Sequence, residues 1–169
     1  MKRDVLALLL AILMWPSMAV AQTGYASTKK ATAESSFNAV ADAALTAMRT
    51  RAEELKIGGV AVVAYFEGEA IQAWSSKMIV VGRYKDEPTV NDKGSNLLGI
   101  VYAKAAEMAD THKDSGSKIR PPMTGEFGWN GGVIARCKTG YVIAAFSGGK
   151  SEDDVEVSRA GLAKLKAGL

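Results

Sequence analysis

The stretch GYVIAAFSGGKSEDD at residues 140–154 decides the fold. Its first eight residues are mostly apolar and rich in β-branched and aromatic side chains, which is typical of a strand in the core of a sheet. Gly148 and Gly149 interrupt the strand, and Ser151 with the acidic residues after it is typical of a helix start, where Asp154 completes an approximate capping box. A buried strand therefore leads into a closing helix, whose predicted apolar stripe is Val155, Leu162, Leu165 and Leu169.

Two hairpins are predicted, one containing this strand and one upstream of it. Residues 133–137 form strand-like alternation just before a turn, so we expect them to pair with residues 141–147. The run 60–66 is β-branched and aromatic, and after a turn at residues 67–69 a second strand-forming run covers residues 71–81. Hairpins join antiparallel strands, so the predicted sheet is antiparallel.

Apolar spacing predicts two further helices. Apolar residues recur at helical intervals over Phe37–Leu55, and Ser35 or Ser36 can cap the start of this helix. A second helix is predicted from about Asn96 to Asp110, with Ser95 as its cap. The first helix precedes both hairpins and the second lies between them.

The predicted order of elements is α-β-β-α-β-β-α. Helices must cover the apolar faces of the sheet, so we expect an α+β fold with an antiparallel sheet of four or five strands, of the profilin-like kind. Residues 111–132 are rich in glycine and contain Pro121-Pro122, which predicts a long irregular loop. Loops of this length in compact domains are often functional.

The N-terminus has the three parts of a secretory signal peptide. Lys2 and Arg3 precede an apolar stretch at residues 5–15, and Ala19-Val20-Ala21 matches the small-residue cleavage pattern. The apolar stretch is too short to cross a membrane, which takes about 20 residues.

We therefore expect cleavage after Ala21 and a periplasmic or secreted product without a stable membrane anchor. Residues 22–34 lack apolar periodicity and are predicted to be a flexible linker. Residues 35–169 then form the single domain.

The charge pattern argues against nucleic-acid binding. The chain has 21 Lys and Arg against 18 Asp and Glu, for a net charge of +3. Its basic residues are scattered among acids, whereas binding to a duplex needs a dense basic stripe. The single cysteine, Cys137, has no partner in the chain for a disulfide, and strand alternation predicts that it is a buried, inert side chain.

The C-terminal part resembles the GlcG/HbpS-like haem-binding (haem-degrading domain) family. The resemblance lies in the strand that ends in Ser147-Gly148-Gly149, the acidic helix start and Ala160-Gly161-Leu162 inside that helix. It covers about residues 132–165 well and residues 37–66 more weakly. The first hairpin turn and residues 77–83 depart from the family pattern. The resemblance implies a ligand-binding protein with haem or a related tetrapyrrole as its cofactor, and a homo-oligomer.

His112, the only histidine, is the candidate metal ligand for such a haem iron. Extending the second helix places it on the apolar side, one turn beyond Met108, and imidazole and thioether both ligate iron in proteins. Because both project from one helix face, they cannot ligate opposite sides of one iron. The alternative is a structural His at a helix C-terminus.

The turn Ser147-Gly148-Gly149 with Lys150 is a candidate cofactor-binding segment. Free backbone N–H groups before a helix suit a haem propionate or a small organic acid. The alternative is that the glycines are required by the turn itself.

The glycine-rich loop supplies an aromatic candidate. Trp129, with Phe127 beside it, could stack on a planar ligand, and the alternative is that both cover the core or an oligomer interface. The weaker candidates of the same kind are Met78, Tyr84, Tyr102 and Arg120.

The residues favour binding over catalysis. No hydrolase motif, phosphate-binding loop or cysteine pair occurs, and one histidine cannot fill several metal-ligand positions, so we exclude a triad or a zinc site built on histidines. We predict an exported protein that binds a small ligand, with haem as the first expectation. The alternatives are an accessory enzyme in haem degradation or small organic acid metabolism, and a non-catalytic oligomeric interaction module.

Overall fold

The computed structural model describes residues 19–168, with side chains from residue 34 onward. The helices are α1 (Ala19–Glu54), α2 (Leu97–Thr111) and α3 (Ser151–Gly168). The strands are β1 (Gly59–Glu67), β2 (Trp74–Val81), β3 (Lys85–Asp86), β4 (Ser95–Asn96), β5 (Gly132–Arg136) and β6 (Gly140–Ser147). This confirms the predicted α-β-β-α-β-β-α order, with the short ribbon β3–β4 inserted before α2.

The main sheet has the strand order β2-β1-β6-β5, and every neighbouring pair is antiparallel. The predicted hairpins form its two outer pairs, and β1 joins β6 in the centre, where Phe66 lies opposite Tyr141 and Val60 opposite Ser147. The two central strands are buried along nearly their whole length. The chain is therefore an α+β fold with a four-stranded antiparallel sheet, as predicted.

Helices cover both faces of the sheet. Alternate residues of β1, among them Ala61 and Val63, lie in a core with α1 and α3. The intervening residues, among them Val62 and Phe66, lie in a second core with α2. Burial on both faces explains why β1 and β6 read as continuous apolar runs. Among the described residues, no helix combines the length and apolar character needed to span a membrane.

The start of the first helix differs from the prediction. We expected Ser35 or Ser36 to cap it, but α1 begins at Ala19, so the backbone of residues 22–34 is helical where a linker was predicted. This segment contains Gly24, which disfavours a helix, but it has no Pro, and its Ala, Gln, Lys and Glu residues favour one. Most of the predicted signal peptide lies outside the described residues, and the division into signal, linker and domain stays a prediction.

The second helix is capped one residue later than predicted. Asn96, and not Ser95, is the N-cap, and its side chain accepts the Gly99 N–H at 3.0 Å. At the other end His112 has left-handed backbone angles, φ 53° and ψ 28°, and its N–H donates to the Met108 carbonyl. His112 is therefore the C-cap that ends α2 and does not extend it.

The buried face of α3 is rotated relative to the predicted stripe. Val157, Gly161 and Leu165 are its buried centre, whereas Val155 and Leu162 are only partly buried and Leu169 lies outside the described residues. The cause is that α3 packs on α1 as well as on the sheet. A Cβ at Gly161 would come within 2.5 Å of the Met48 sulfur on α1, so the two helices meet at this glycine.

Candidate functional site

A cleft of about 180 Å³ opens between α2, the first turn of α3, the β3–β4 ribbon and the loop that precedes β5. The side chains that define its chemistry are Asp86, Lys104, Trp129, Ser147, Ser151 and Asp154. The lining is mainly polar, with the indole of Trp129 on one side. The cleft lies at the end of β6, where the sheet gives way to the glycine turn and α3.

A buried ion pair belongs to the lining of this cleft. The Lys104 ammonium lies 2.9 Å from a carboxylate oxygen of Asp154, and both side chains are nearly inaccessible. The ammonium also donates to the backbone carbonyl of Phe146 at 2.8 Å. A lysine ammonium has three N–H groups, so one of them has no acceptor among the described residues.

Burial shifts both groups toward their neutral forms. It lowers the pKa of Lys104, and the charge of Asp154 opposes this shift. It raises the pKa of Asp154, and the charge of Lys104 and backbone N–H groups oppose that shift. Removing two charges from water is costly, so such a pair is a functional candidate when it lines a cleft.

Asp154 also organises the glycine turn. Its other carboxylate oxygen accepts the Gly149 N–H at 2.8 Å, which replaces the predicted capping box. The Gly149 N–H is therefore not free for a ligand, contrary to the sequence expectation. On the other side of the turn, Arg83 donates to the carbonyls of Gly148 and Gly58.

Only some of the predicted site residues lie in the cleft. Its lining includes Ser147, Gly148, Gly149 and Trp129. Lys150 is exposed and does not belong to the lining.

Met108 and His112 lie elsewhere on α2. Met108 is fully buried in the α2 core, where its methyl end packs on Gly132, so its thioether has no open side for a ligand. His112 lies eight residues after Lys104, which is roughly 12 Å along the helix axis. The predicted haem contacts therefore do not converge on one cavity in this conformation.

His112 stands in an aromatic stack. Its ring lies 4.2 Å from that of Tyr141 at an interplanar angle of 11°, and Phe66 stacks beside both. The Tyr141 hydroxyl donates to Glu69 and accepts from Arg136, which also pairs with Glu69. The Nε2 atom of His112 is buried and has no hydrogen-bond partner in the described part of the chain.

The remaining candidates either pack against neighbouring side chains or lie exposed at the surface. Phe127 and Trp129 contact each other at 4.8 Å and are both about half exposed. Tyr102 packs on Trp74, Met78 is half-buried on the α2 side of the sheet, and Tyr84 is exposed. Arg120 donates hydrogen bonds to the carboxylates of Glu126 and Asp110.

The Cys137 side chain is only partly buried, which corrects the expectation of a buried cysteine.

The sequence did not identify Lys104 and Asp154 as a pair. The signal for Lys104 was present, because it lies seven residues after Leu97 and so occupies the middle of the apolar stripe of α2. A lysine at such a position must either be buried with a partner for its charge or extend its side chain to solvent. Nothing in the local sequence identified its partner.

The described residues contain no group of three or more His, Cys, Asp and Glu side chains that could hold a metal ion. No protein-family model and no curated protein matches the chain. In structure the chain is similar to the Klebsiella pneumoniae protein ORFY, described as a DUF336 protein, with 15% sequence identity, a TM-score of 0.49 and coverage of 76% of this chain and 89% of that one. DUF336 designates the GlcG/HbpS-like haem-degrading domain family.

Proposed function

We propose that the protein binds a small organic acid in the cleft between α2 and α3. The observation that carries this proposal is the unused N–H of the buried Lys104 ammonium in the lining of that cleft. A buried donor without an acceptor costs free energy, and a ligand oxygen placed there removes that cost.

The size of the cleft limits the ligand. Sites for drug-sized molecules enclose about 300–1,000 Å³, and this cleft holds about 180 Å³. Because the cleft is smaller than such sites, it suits a ligand of only a few non-hydrogen atoms.

Hydrogen-bond donors around the cleft favour an acid as that molecule, and they act against the negative charge of Glu152 and Asp153 in the first turn of α3. The helix α3 begins at the cleft, and the amino end of a helix carries partial positive charge. Asp86 is neutralised by Arg83 at 2.6 Å, and Asp154 is neutralised by Lys104. The hydroxyls of Ser147 and Ser151 add donors for carboxylate oxygens.

Titration with propanoate, followed by amide and indole NMR signals, tests this proposal. We expect saturable shifts at residues 147–151 and at the indole of Trp129. The double variant Lys104→Met with Asp154→Asn should weaken binding about tenfold or more, because a hydrogen bond to a charged group contributes about 1.5–3 kcal/mol. Lys150→Met removes an exposed lysine next to the cleft and should leave affinity unchanged. Equal losses in both variants, or shifts spread over surface lysines, would contradict the proposal.

Haem binding is a second candidate function, and the unpartnered Nε2 of His112 favours it. Iron is one group that can satisfy a buried imidazole nitrogen, and haem would supply that iron within a planar ring. His112 would hold the iron, with Phe66 and Tyr141 packed beside the imidazole.

Haemin titration distinguishes this second function from the first. Specific binding predicts a saturable Soret shift that changes in His112→Ala and persists in Met108→Leu, because Met108 is a core residue. An unchanged spectrum and affinity in His112→Ala would remove His112 as the ligand.

We also propose that the protein is exported and processed after Ala21. The support is the basic start, the apolar run and the Ala19-Val20-Ala21 pattern. The intact mass of the protein from its native host tests this, and a mass that retains residues 1–21 would refute processing.

Self-association is the last of these proposals. The loop between α2 and β5 exposes about half of each of Ile119, Met123, Phe127 and Trp129, and exposed apolar patches often mark interfaces. Light scattering at tens of micromolar protein tests it, and a monomer mass would refute it.

A further inference from the structure

We propose that Lys104 forms a reversible Schiff base with a small 2-oxo acid bound in the cleft. This inference rests on the proposed function, because it names the ligand class of the same site. It adds a covalent step that binding of an acid does not require.

Lys104 is the one buried lysine among the described residues, and it belongs to the lining of the cleft. Hydrogen bonds to Phe146 and Asp154 fix its position, and Gly131 leaves room for it. A Cβ on Gly131 would come within 2.2 Å of the Lys104 nitrogen, so any other residue there would displace the amine. These contacts hold the amine in one place. One of its three N–H groups is bonded to neither the Phe146 carbonyl nor the Asp154 carboxylate.

Asp154 provides the proton acceptor that the reaction needs. An ammonium is not a nucleophile, so a proton must leave Lys104 before it can attack a carbonyl carbon. The carboxylate 2.9 Å away can accept that proton directly. Burial favours this transfer, since it lowers the pKa of Lys104 and raises the pKa of Asp154.

The step balances without a further reactant. The neutral amine adds to the ketone carbon, and one proton moves from its nitrogen to the ketone oxygen, which gives a carbinolamine with a hydroxyl group. Asp154 returns its proton to that hydroxyl, which leaves as water when the C=N bond forms. Hydrolysis by one water molecule reverses the sequence, so nothing is oxidised or reduced.

The ligand class follows from the groups that line the cleft. Lys104 would take the ketone, and the serine hydroxyls and the first turn of α3 would take the neighbouring carboxylate of a 2-oxo acid. Pyruvate is the smallest ketone of this class, so it is the probe that suits a small cleft.

The experiment is reductive trapping of the mature protein with pyruvate and cyanoborohydride at neutral pH. Peptide mapping after intact-mass measurement locates the adduct. We expect one adduct per chain, on Lys104, formed at least tenfold faster than on any exposed lysine. Because the site is read from the unaltered protein, this test needs no variant that might fail to fold.

Two matched variants test the role of each group. Asp154→Asn keeps the lysine and removes the proton acceptor, so trapping should slow by at least tenfold, whereas Lys150→Arg should not alter it. Adducts spread over exposed lysines, or protection of Lys104, would overturn the Schiff-base inference. If propanoate still binds in the cleft in that case, the proposed function stands and only the covalent step is wrong; if propanoate does not bind either, both fail.

Discussion

Lys104 and Asp154 form a buried ion pair at 2.9 Å although they lie 50 residues apart, one in the middle of α2 and the other in the first turn of α3. The pair joins helices that cover opposite faces of the sheet. Asp154 also accepts the Gly149 N–H, and Lys104 also donates to Phe146 at the end of β6. Asp154 therefore connects the lysine of the cleft to the glycine turn beside it.

Removing one charge of this pair should destabilise the protein strongly. Lys104→Met leaves Asp154 buried without its counter-ion, which typically costs about 3–5 kcal/mol. Urea unfolding at neutral pH, followed by circular dichroism, measures the change in the free energy of unfolding.

The double variant Lys104→Met with Asp154→Asn is the control for that prediction. It removes both charges, so it should be more stable than Lys104→Met alone by at least about 1 kcal/mol, because the unpaired buried charge is gone. If the second substitution only adds to the loss, the two groups do not act as a pair.

Gly131 should tolerate no side chain. Its φ is +133°, and a Cβ would meet Lys104, the Asp154 Cβ and the Phe146 carbonyl, all at or below 2.9 Å. We expect Gly131→Ala to cost about 3 kcal/mol or more, since it adds a clash with buried groups to backbone strain. Thermal unfolding and propanoate binding measure both consequences.

Gly125→Ala is the matched control for Gly131→Ala. Gly125 also has a positive φ, +96°, but a Cβ there meets nothing within 4 Å. Its cost should be the backbone strain alone, about 1–2 kcal/mol, with the cleft intact. Equal losses in the two variants would show that the contacts around Gly131 do not matter.

Most of the fold could be predicted because its signals are local. The run at residues 140–154 contains a whole strand, its end and a helix start, and β-branched runs identified β1 in the same way. The buried face of α3 could not be read from apolar residues, because Gly161 and Ser158 are its close contacts with α1 and the loop.

The site was less predictable for a related reason. The turn at residues 147–149 and Trp129 were identified from glycine and aromatic content, and they do line the cleft. The partner of Lys104 depends on how α2 and α3 are placed by the sheet between them, which no local pattern specifies. The phase of Lys104 on α2 indicated only that some partner must exist.

The Asn96 cap should contribute measurably to α2. Its side chain accepts the Gly99 N–H at 3.0 Å, and replacing such a cap by Ala typically costs about 1 kcal/mol. We expect this loss in Asn96→Ala, whereas Asn96→Asp should retain the stability because a carboxylate can accept the same N–H and favours a helix start. Urea unfolding of the unaltered protein and the two variants measures these changes, and an Asn96→Ala protein as stable as the unaltered one would show that the cap bond does not contribute.

Glu126 should make the protein sensitive to acid. Both of its carboxylate oxygens accept from Arg120, at 2.7 and 2.8 Å, and its pKa falls from 4.5 to about 2. In this range the folded state binds fewer protons than the unfolded state, so the stabilisation is complete above pH 4.5 and is lost as the pH falls toward 2. Urea unfolding across this range should show a steeper loss of stability in the unaltered protein than in Glu126→Gln, which has no carboxylate to protonate. The exposed control Glu53→Gln should keep the original slope, and a Glu126→Gln protein with that same slope would show that the Arg120 contact does not couple folding to pH.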